Sequence, residues 1–145
     1  MAKKRKYIIP IEQLELEEDN YHLLIESHFG DGFIGKWIID TGASKTVFDI
    51  KHKSHFELIE SKHTEIKSAG IGDGHIETFI ANLPEITFGD LKLFNWSVAV
   101  IDLQHINRLY QQFTGETIVG LLGSDFLVQH QAILNVKKLT LTIFN

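Results

Sequence analysis

The stretch Trp37-Ile38-Ile39-Asp40-Thr41-Gly42-Ala43-Ser44 reads as an apolar strand that ends abruptly at a carboxylate. Thr41 and Gly42, the next two residues, are of the kind that form a tight turn. A carboxylate at the end of a buried strand is costly to hold there unless backbone donors and a partner satisfy it. The stretch therefore predicts a strand that presents Asp40 as the centre of this protein's chemistry.

A second stretch far downstream gives Asp40 its context. Residues Thr117–Asp125 read as another apolar strand that ends on a glycine, followed by a short helical run over Ser124–His130. Asp40-Thr41-Gly42 and the later Leu121-Leu122-Gly123, in this order, resemble the motifs of aspartic proteases of the retropepsin type. The resemblance extends from about Tyr7 to Phe144.

The resemblance implies a mostly β fold: a single-lobe, closed acid-protease β-barrel with one or two short helices, whose two motif strands cross beneath the active site. The length of 145 residues, the 43% apolar content and the ten Phe fit one domain with a substantial core. We expect residues 1–6 to be a basic, disordered tail and residues 7–145 to be the protease domain.

A single Asp-Thr-Gly motif has a consequence for assembly. Peptide hydrolysis by aspartic proteases uses two carboxyl groups in contact, which share a proton and so supply acid and base together. This chain has one Asp-Thr-Gly and no Asp-Ser-Gly. We therefore expect a two-fold homodimer through the active-site face, with the two Asp40 carboxyls activating a water, no metal or cofactor, and activity that rises into the mildly acidic range.

The resemblance also assigns roles to the neighbours of Asp40. Thr41 would hydrogen-bond the partner's loop, and Gly42 would allow the tight turn, so both join Asp40 in the catalytic set. Ala43 and Ser44 would line the substrate groove. Leu122 and Gly123 would support the site from below.

A flap is expected over Gly70-Ile71-Gly72-Asp73-Gly74, a glycine-rich hairpin. Gly70, Ile71 and Gly72 would contact an extended peptide, and Ile71 and Leu121 would line an apolar groove. A plain surface hairpin is the alternative reading.

The chain departs from the retroviral pattern at two positions. Retroviral members usually carry an acidic residue where this chain has Ser44 and an arginine where it has Ser124, and these form an ion pair. Because both the acidic residue and the arginine are replaced by serine here, neither charge is left without its partner. Extra length relative to retroviral proteases is expected in Lys51–Lys62 and in Asp102–Phe113.

Apolar runs separated by Gly, Asp and Asn predict hairpins. The predicted strand pairs are His22–Ser27 with Phe33–Asp40, Thr64–Ala69 with His75–Ala81, Glu85–Phe88 with Leu91–Ile101, and Ala132–Val136 with Leu139–Phe144. Asp102–Phe113 has a helical apolar stripe, and Phe126–Gln131 predicts a shorter helix with Ser124 as its N-cap.

Composition argues against several classes of partner. A net charge of -5 argues against nucleic acid, since the one dense basic run is Lys3–Lys6. No apolar stretch is long enough for a membrane span and no leader pattern is visible, so we expect a soluble, cytoplasmic protein without a membrane partner. The absence of cysteine excludes disulfides, thiolate catalysis and cysteine-zinc sites.

Other chemistries remain as alternatives. His52, His55 and His63 have unspecific spacing and are expected to be surface histidines rather than metal ligands. No Gly-x-Ser-x-Gly elbow occurs, which argues against a Ser/His/Asp nucleophile, and the hairpins argue against an aspartyl-phosphate enzyme. The main rival is a retropepsin-fold module that binds peptides or dimerises with weak or no hydrolysis.

Overall fold

The structure is a computed structural model that describes residues 3–60 and 78–145. These residues form a mostly β protein with two short α-helices, as expected. The strands are β1 (Lys6–Pro10), β2 (Glu12–Glu17), β3 (Asn20–His28), β4 (Ile34–Ile39), β5 (Val47–Asp49), β6 (Glu57–Glu60), β7 (Phe79–Phe88), β8 (Leu91–Ile101), β9 (Ile118–Leu122), β10 (Ile133–Asn135) and β11 (Thr140–Phe144). The helices are α1 (Gln104–Phe113) and α2 (Ser124–Gln129), with a short 3-10 helix at Lys53–His55.

Six of the described strands close into a barrel in the order β3-β4-β9-β5-β8-β7, and the pairing of His28 with Thr87 completes the ring. Strands β2 and β6 extend this sheet on either side. Most neighbours are antiparallel, but β4 pairs in parallel with β9, and β5 pairs in parallel with β8. The closed barrel confirms the fold that the sequence resemblance implied.

A smaller sheet joins the two ends of the described chain in the order β1-β11-β10. Beyond the pairing of β1 with β11, Arg5 and Asn145 exchange two backbone hydrogen bonds of 2.9 and 3.0 Å. Strand β1 thus includes Lys6, which the sequence analysis had assigned to the tail, one residue before the expected start of the domain.

Aromatic side chains fill the barrel. Trp37 is fully buried and stacks on Phe48 with a ring separation of 5.5 Å. The indole Nε1 donates to the buried hydroxyl of Ser27 at 2.8 Å, so the one polar atom of the ring is satisfied. This packing fixes the strand that leads to Asp40.

Helix α1 is fastened to the barrel by polar side chains. Asn107 accepts from the backbone N–H of Ile118 at 2.7 Å and donates to its carbonyl at 3.0 Å, as a neighbouring strand would. The buried Asp49 carboxylate accepts from Asn107 and from the backbone N–H of Leu103. Tyr110 packs in a second small core beside β9. The helix therefore fixes where β9 begins.

The expectation that one strand ends at Ala81 and another begins at Glu85, on either side of Pro84, was wrong. Strand β7 runs unbroken through it and pairs with β8 on both sides. Pro84 is exposed and lies between the residues that pair with β6 and the residue that pairs with β3. Among the described strands, none on the other side of β7 pairs with Pro84, so its missing N–H breaks no second ladder there.

Helix α2 begins at Ser124, as the predicted helical run over Ser124–His130 does and two residues before the predicted helix Phe126–Gln131. Its N-cap is Gly123, and Ser124 is the first helical residue and makes no capping hydrogen bond, so the assignment of Ser124 as N-cap was wrong. The Ser124 hydroxyl instead donates to the carbonyl of Ala43 at 3.2 Å. Neither α1 nor α2 is long and apolar enough to cross a bilayer.

We predict that Gly120→Ala destabilises the fold by about 1–3 kcal/mol, because an added Cβ at this position would lie 2.6 Å from the Val47 carbonyl oxygen and would also clash with the Trp37 ring. Thermal unfolding measures the loss. The matched control is Gly30→Ala, whose Cβ would meet nothing closer than Glu85 Oε2 at 3.8 Å. Equal melting temperatures for the two variants would contradict the prediction.

Candidate active site

The loop after β4 holds Asp40 in a tight turn. The Asp40 backbone N–H donates to the carbonyl of Leu122 at 2.9 Å, which ties the end of β4 to the end of β9. Its Oδ1 accepts from the Gly42 N–H at 3.0 Å, and its carbonyl accepts from the Ala43 N–H at 3.2 Å. The half-buried carboxylate is thus oriented by its own loop, and Oδ2 accepts no hydrogen bond from the part of the chain that the structure describes.

The end of β9 packs directly against this loop. An added Cβ at Gly123 would lie 2.7 Å from the Lys45 carbonyl carbon and 2.8 Å from the Ala43 oxygen, so only glycine fits. The Ser124 N–H donates to the same Ala43 oxygen at 2.8 Å. The structure therefore brings the two sequence motifs together, as the resemblance implied.

Two residues that the sequence analysis missed join the motifs. Thr46 is buried, and its hydroxyl donates to Asp125 Oδ1 at 2.7 Å and accepts from the Gly123 N–H at 3.0 Å. The Thr46 backbone N–H also donates to Asp125 Oδ1, at 2.9 Å. The signal for Thr46 in the sequence was its position, as a polar residue directly before the apolar pair Val47-Phe48.

The other proposed site residues have different environments. Thr41, Gly42 and Ser44 are exposed, whereas Ala43 and Leu121 are half-buried and Leu122 is buried. The proposed flap residues lie outside the described residues. They are Gly70, Ile71 and Gly72, together with the rest of the Gly70–Gly74 hairpin.

A cavity of about 360 Å³ lies between β8 and α2 and is lined by Trp96, Asp125 and Phe126 among others, without Asp40. The substrate groove expected between two copies would not be enclosed by one chain alone. Asp125, which joins the two motifs, thus borders this cavity, whereas Asp40 does not.

The histidines considered as metal ligands pack against aromatic rings. His55 stacks on Phe33 at 4.6 Å and lies 3.7 Å from Asp31, and His52 lies 5.2 Å from the same ring. His63 lies outside the described residues. Within residues 3–60 and 78–145, no group of three or more His, Asp or Glu side chains is placed to hold a metal ion.

Burial lowers the pKa of His52 below its ordinary value of 6.5. Asp49 opposes this shift, and His55 and Lys51 add to it. The Nε2 atom of His52 is buried and accepts no hydrogen bond in the described part of the chain. A charged imidazole is therefore poorly tolerated here.

Comparison with known protein families identifies the family to which the chain belongs. A family model described as aspartyl protease matches residues 29–126, more than half of the chain and inclusive of both motifs. The chain belongs to the aspartyl protease family. A search of curated proteins found no significant match to this chain.

Solved structures resemble the fold of this chain at low sequence identity. One is a retropepsin-like aspartic protease from Rickettsia conorii, with a TM-score of 0.53, 19% identity, and coverage of 98% of this chain and 92% of that chain. Another is the retroviral protease-like domain of Ddi1 from Leishmania major, with a TM-score of 0.53, 14% identity, and coverage of 84% and 87%. The fold is therefore retropepsin-like, as the sequence motifs implied.

We predict that the free energy of unfolding decreases between about pH 7 and pH 5, and decreases less in His52→Phe. A lowered pKa means that the unfolded chain binds the proton more readily, so the stability contributed by neutral His52 is lost as the pH falls through 6.5 toward its folded value. Denaturant unfolding at a series of pH values measures this. The control is His105→Phe, at an exposed position of α1. Identical pH dependence in wild type and His52→Phe would contradict the prediction.

Proposed function

We propose that this protein is an aspartic endopeptidase whose active site forms between two copies of the chain. The observation that carries the proposal is the position of Asp40: an oriented, half-buried carboxylate at the point where β4 ends beside β9, within the family match. Thr41 and Gly42, beside it, are exposed and available to a second copy.

The reaction needs one ionised and one protonated carboxyl. In the proposed dimer the ionised Asp40 takes a proton from a water molecule while the water oxygen attacks the scissile carbonyl carbon. The protonated Asp40 of the other copy gives its proton to the carbonyl oxygen. Collapse of the tetrahedral intermediate breaks the C–N bond: the nitrogen receives a proton from the first carboxyl, and one hydroxyl of the intermediate returns its proton to the second carboxyl, which restores the starting pair. Two like charges in contact favour sharing one proton, which maintains this division of roles.

The Asp40 loop supports this scheme in one chain. The Gly42 N–H already satisfies Oδ1, so Oδ2 can face a water or the second carboxyl. Glycine suits position 42 because an added Cβ there would lie 3.3 Å from Asp40 Oδ1, which is a tight contact. An arrangement fixed before substrate binds reduces the reorganisation needed in the transition state.

Exposed apolar residues next to α2 support a dimer. Val128 on α2 is 77% exposed, and Ile133, Leu134 and Val136 on and after β10 are also exposed. Within the described residues β10 is an edge strand, paired only with β11. Apolar edge strands attract further strands, and α2 connects this edge to the Asp40 loop through Ser124.

The rival function is a peptide-binding or dimerisation module that uses the same fold without efficient hydrolysis. The intact Asp40-Thr41-Gly42 loop and its hydrogen bonds favour the enzyme. A module has no need of an oriented carboxylate at this point. The peptide binding of such a module would survive substitution of Asp40, whereas hydrolysis would not.

We predict that Asp40→Asn reduces hydrolysis of a denatured-protein or peptide-library substrate by a factor of roughly 10³ or more, because an amide can serve neither as acid nor as base. Mass spectrometry of the products measures cleavage. The matched control is Asp102→Asn, whose Oδ1 likewise accepts from a backbone N–H two residues on but which lies before α1. Peptide binding without cleavage by the wild type would favour the module instead.

We predict that Ile133→Lys converts a wild-type dimer to monomer and lowers activity per chain at dilute concentration, because a lysine on β10 opposes apolar edge pairing. Light scattering measures the mass. The matched control is Ile34→Lys, since Ile34 at the start of β4 is 50% exposed and belongs to the sheet that does not contain β10. A monomeric wild type, or an unchanged Ile133→Lys dimer, would argue against this interface.

A further inference from the structure

Thr46 and Asp125 join the segment after Asp40 to the start of α2. Asp125 Oδ1 receives three donors, which are the N–H and hydroxyl of Thr46 and the N–H of Phe126 at 2.8 Å. The Thr46 hydroxyl also accepts from the buried Gly123 N–H. This set of hydrogen bonds, which we name the Thr46–Asp125 clamp, connects residues 79 positions apart.

We propose that the Thr46–Asp125 clamp consists of positioning residues that hold the Asp40 loop for hydrolysis. This inference rests on the proposed function. Neither clamp residue contacts the Asp40 carboxylate. Both act through the backbone, since Gly123 and Ser124 on one side and Ala43 on the other complete the connection to Asp40.

The chemistry of the two side chains suits this task. A threonine hydroxyl donates and accepts at once, so it can bridge Asp125 and the Gly123 N–H, which serine can also do and valine cannot. A carboxylate oxygen accepts several donors, and hydrogen bonds to an ionised acceptor are about twice as strong as neutral ones. Loss of the hydroxyl would leave the Gly123 N–H buried without a partner.

A displaced clamp should affect turnover more than binding. Ala43 lies three residues from Asp40, and the Ser124 N–H and hydroxyl both donate to its carbonyl. Movement of this connection would shift the carboxylate relative to the scissile bond, and a misplacement of about 1 Å can reduce rate about 10²-fold. Substrate contacts spread along a groove are less sensitive to such a shift.

The test compares Thr46→Val with Thr46→Ser. We expect Thr46→Val to lower kcat by about 10- to 100-fold with KM changed by less than about three-fold, and Thr46→Ser to stay within about three-fold of wild type in both. Hydrogen exchange should accelerate at the amides of residues 41–46 in Thr46→Val alone. The matched control is Thr114→Val, which removes a hydroxyl hydrogen-bonded to the Tyr110 carbonyl at the end of α1 and should leave kcat unchanged.

A double-variant comparison tests the clamp as a unit. If Thr46 and Asp125 act together, Thr46→Val with Asp125→Ala should lose about as much kcat as either alone, whereas independent effects would multiply. Equal loss in Thr46→Val and Thr114→Val, failure of Thr46→Ser to retain activity, or unchanged exchange at residues 41–46 would overturn the inference. A wild type without hydrolysis would overturn the proposed function, and the exchange measurement would still decide whether the clamp orders the loop.

Discussion

The close approach of β4 and β9 where both strands end is the constraint on which the candidate site depends. The hydrogen bond from the Asp40 N–H to the Leu122 carbonyl joins the two ends. Two glycines make the approach possible, since Gly120 lies beneath the Trp37 ring and Gly123 lies against the backbone of Ala43 and Lys45. Larger residues at these positions would separate the strands and with them the two halves of the loop.

Local pattern predicted several hairpins and helix α1, whereas the closed barrel was expected from the family resemblance. Alternating apolar residues interrupted by Gly-Asp turns predicted the hairpins around Gly30–Gly32 and Gly89–Asp90, and both are present. The apolar stripe of α1 predicted the helix, because one helical face packs on the barrel. The errors occurred where long-range context outweighed local preference. Pro84 continues a strand because of where β6 and β3 pair, and Ser124 bonds to Ala43 instead of capping α2.

The Asp40 loop could be located from the sequence because its residues are contiguous, but its supports could not. Thr46 and Asp125 belong to no motif in their own segments. Only the fold shows that Asp125 Oδ1 accepts from both the N–H and the hydroxyl of Thr46. The same holds for Asn107, whose side chain satisfies both backbone groups of Ile118 across the chain. Hydrogen bonds between distant positions leave no periodic signal along a sequence.

The separation between Thr46 and Asp125 has a consequence for biosynthesis. Contacts between distant positions form only after most of the intervening chain has been ordered, which makes such topologies slow to fold. A nascent chain that has not yet released α2 from the ribosome has Asp40 but neither β9 nor Asp125 to brace its loop. The order of translation therefore delays the ordering of the Asp40 loop until the segment that carries β9 and Asp125 has emerged.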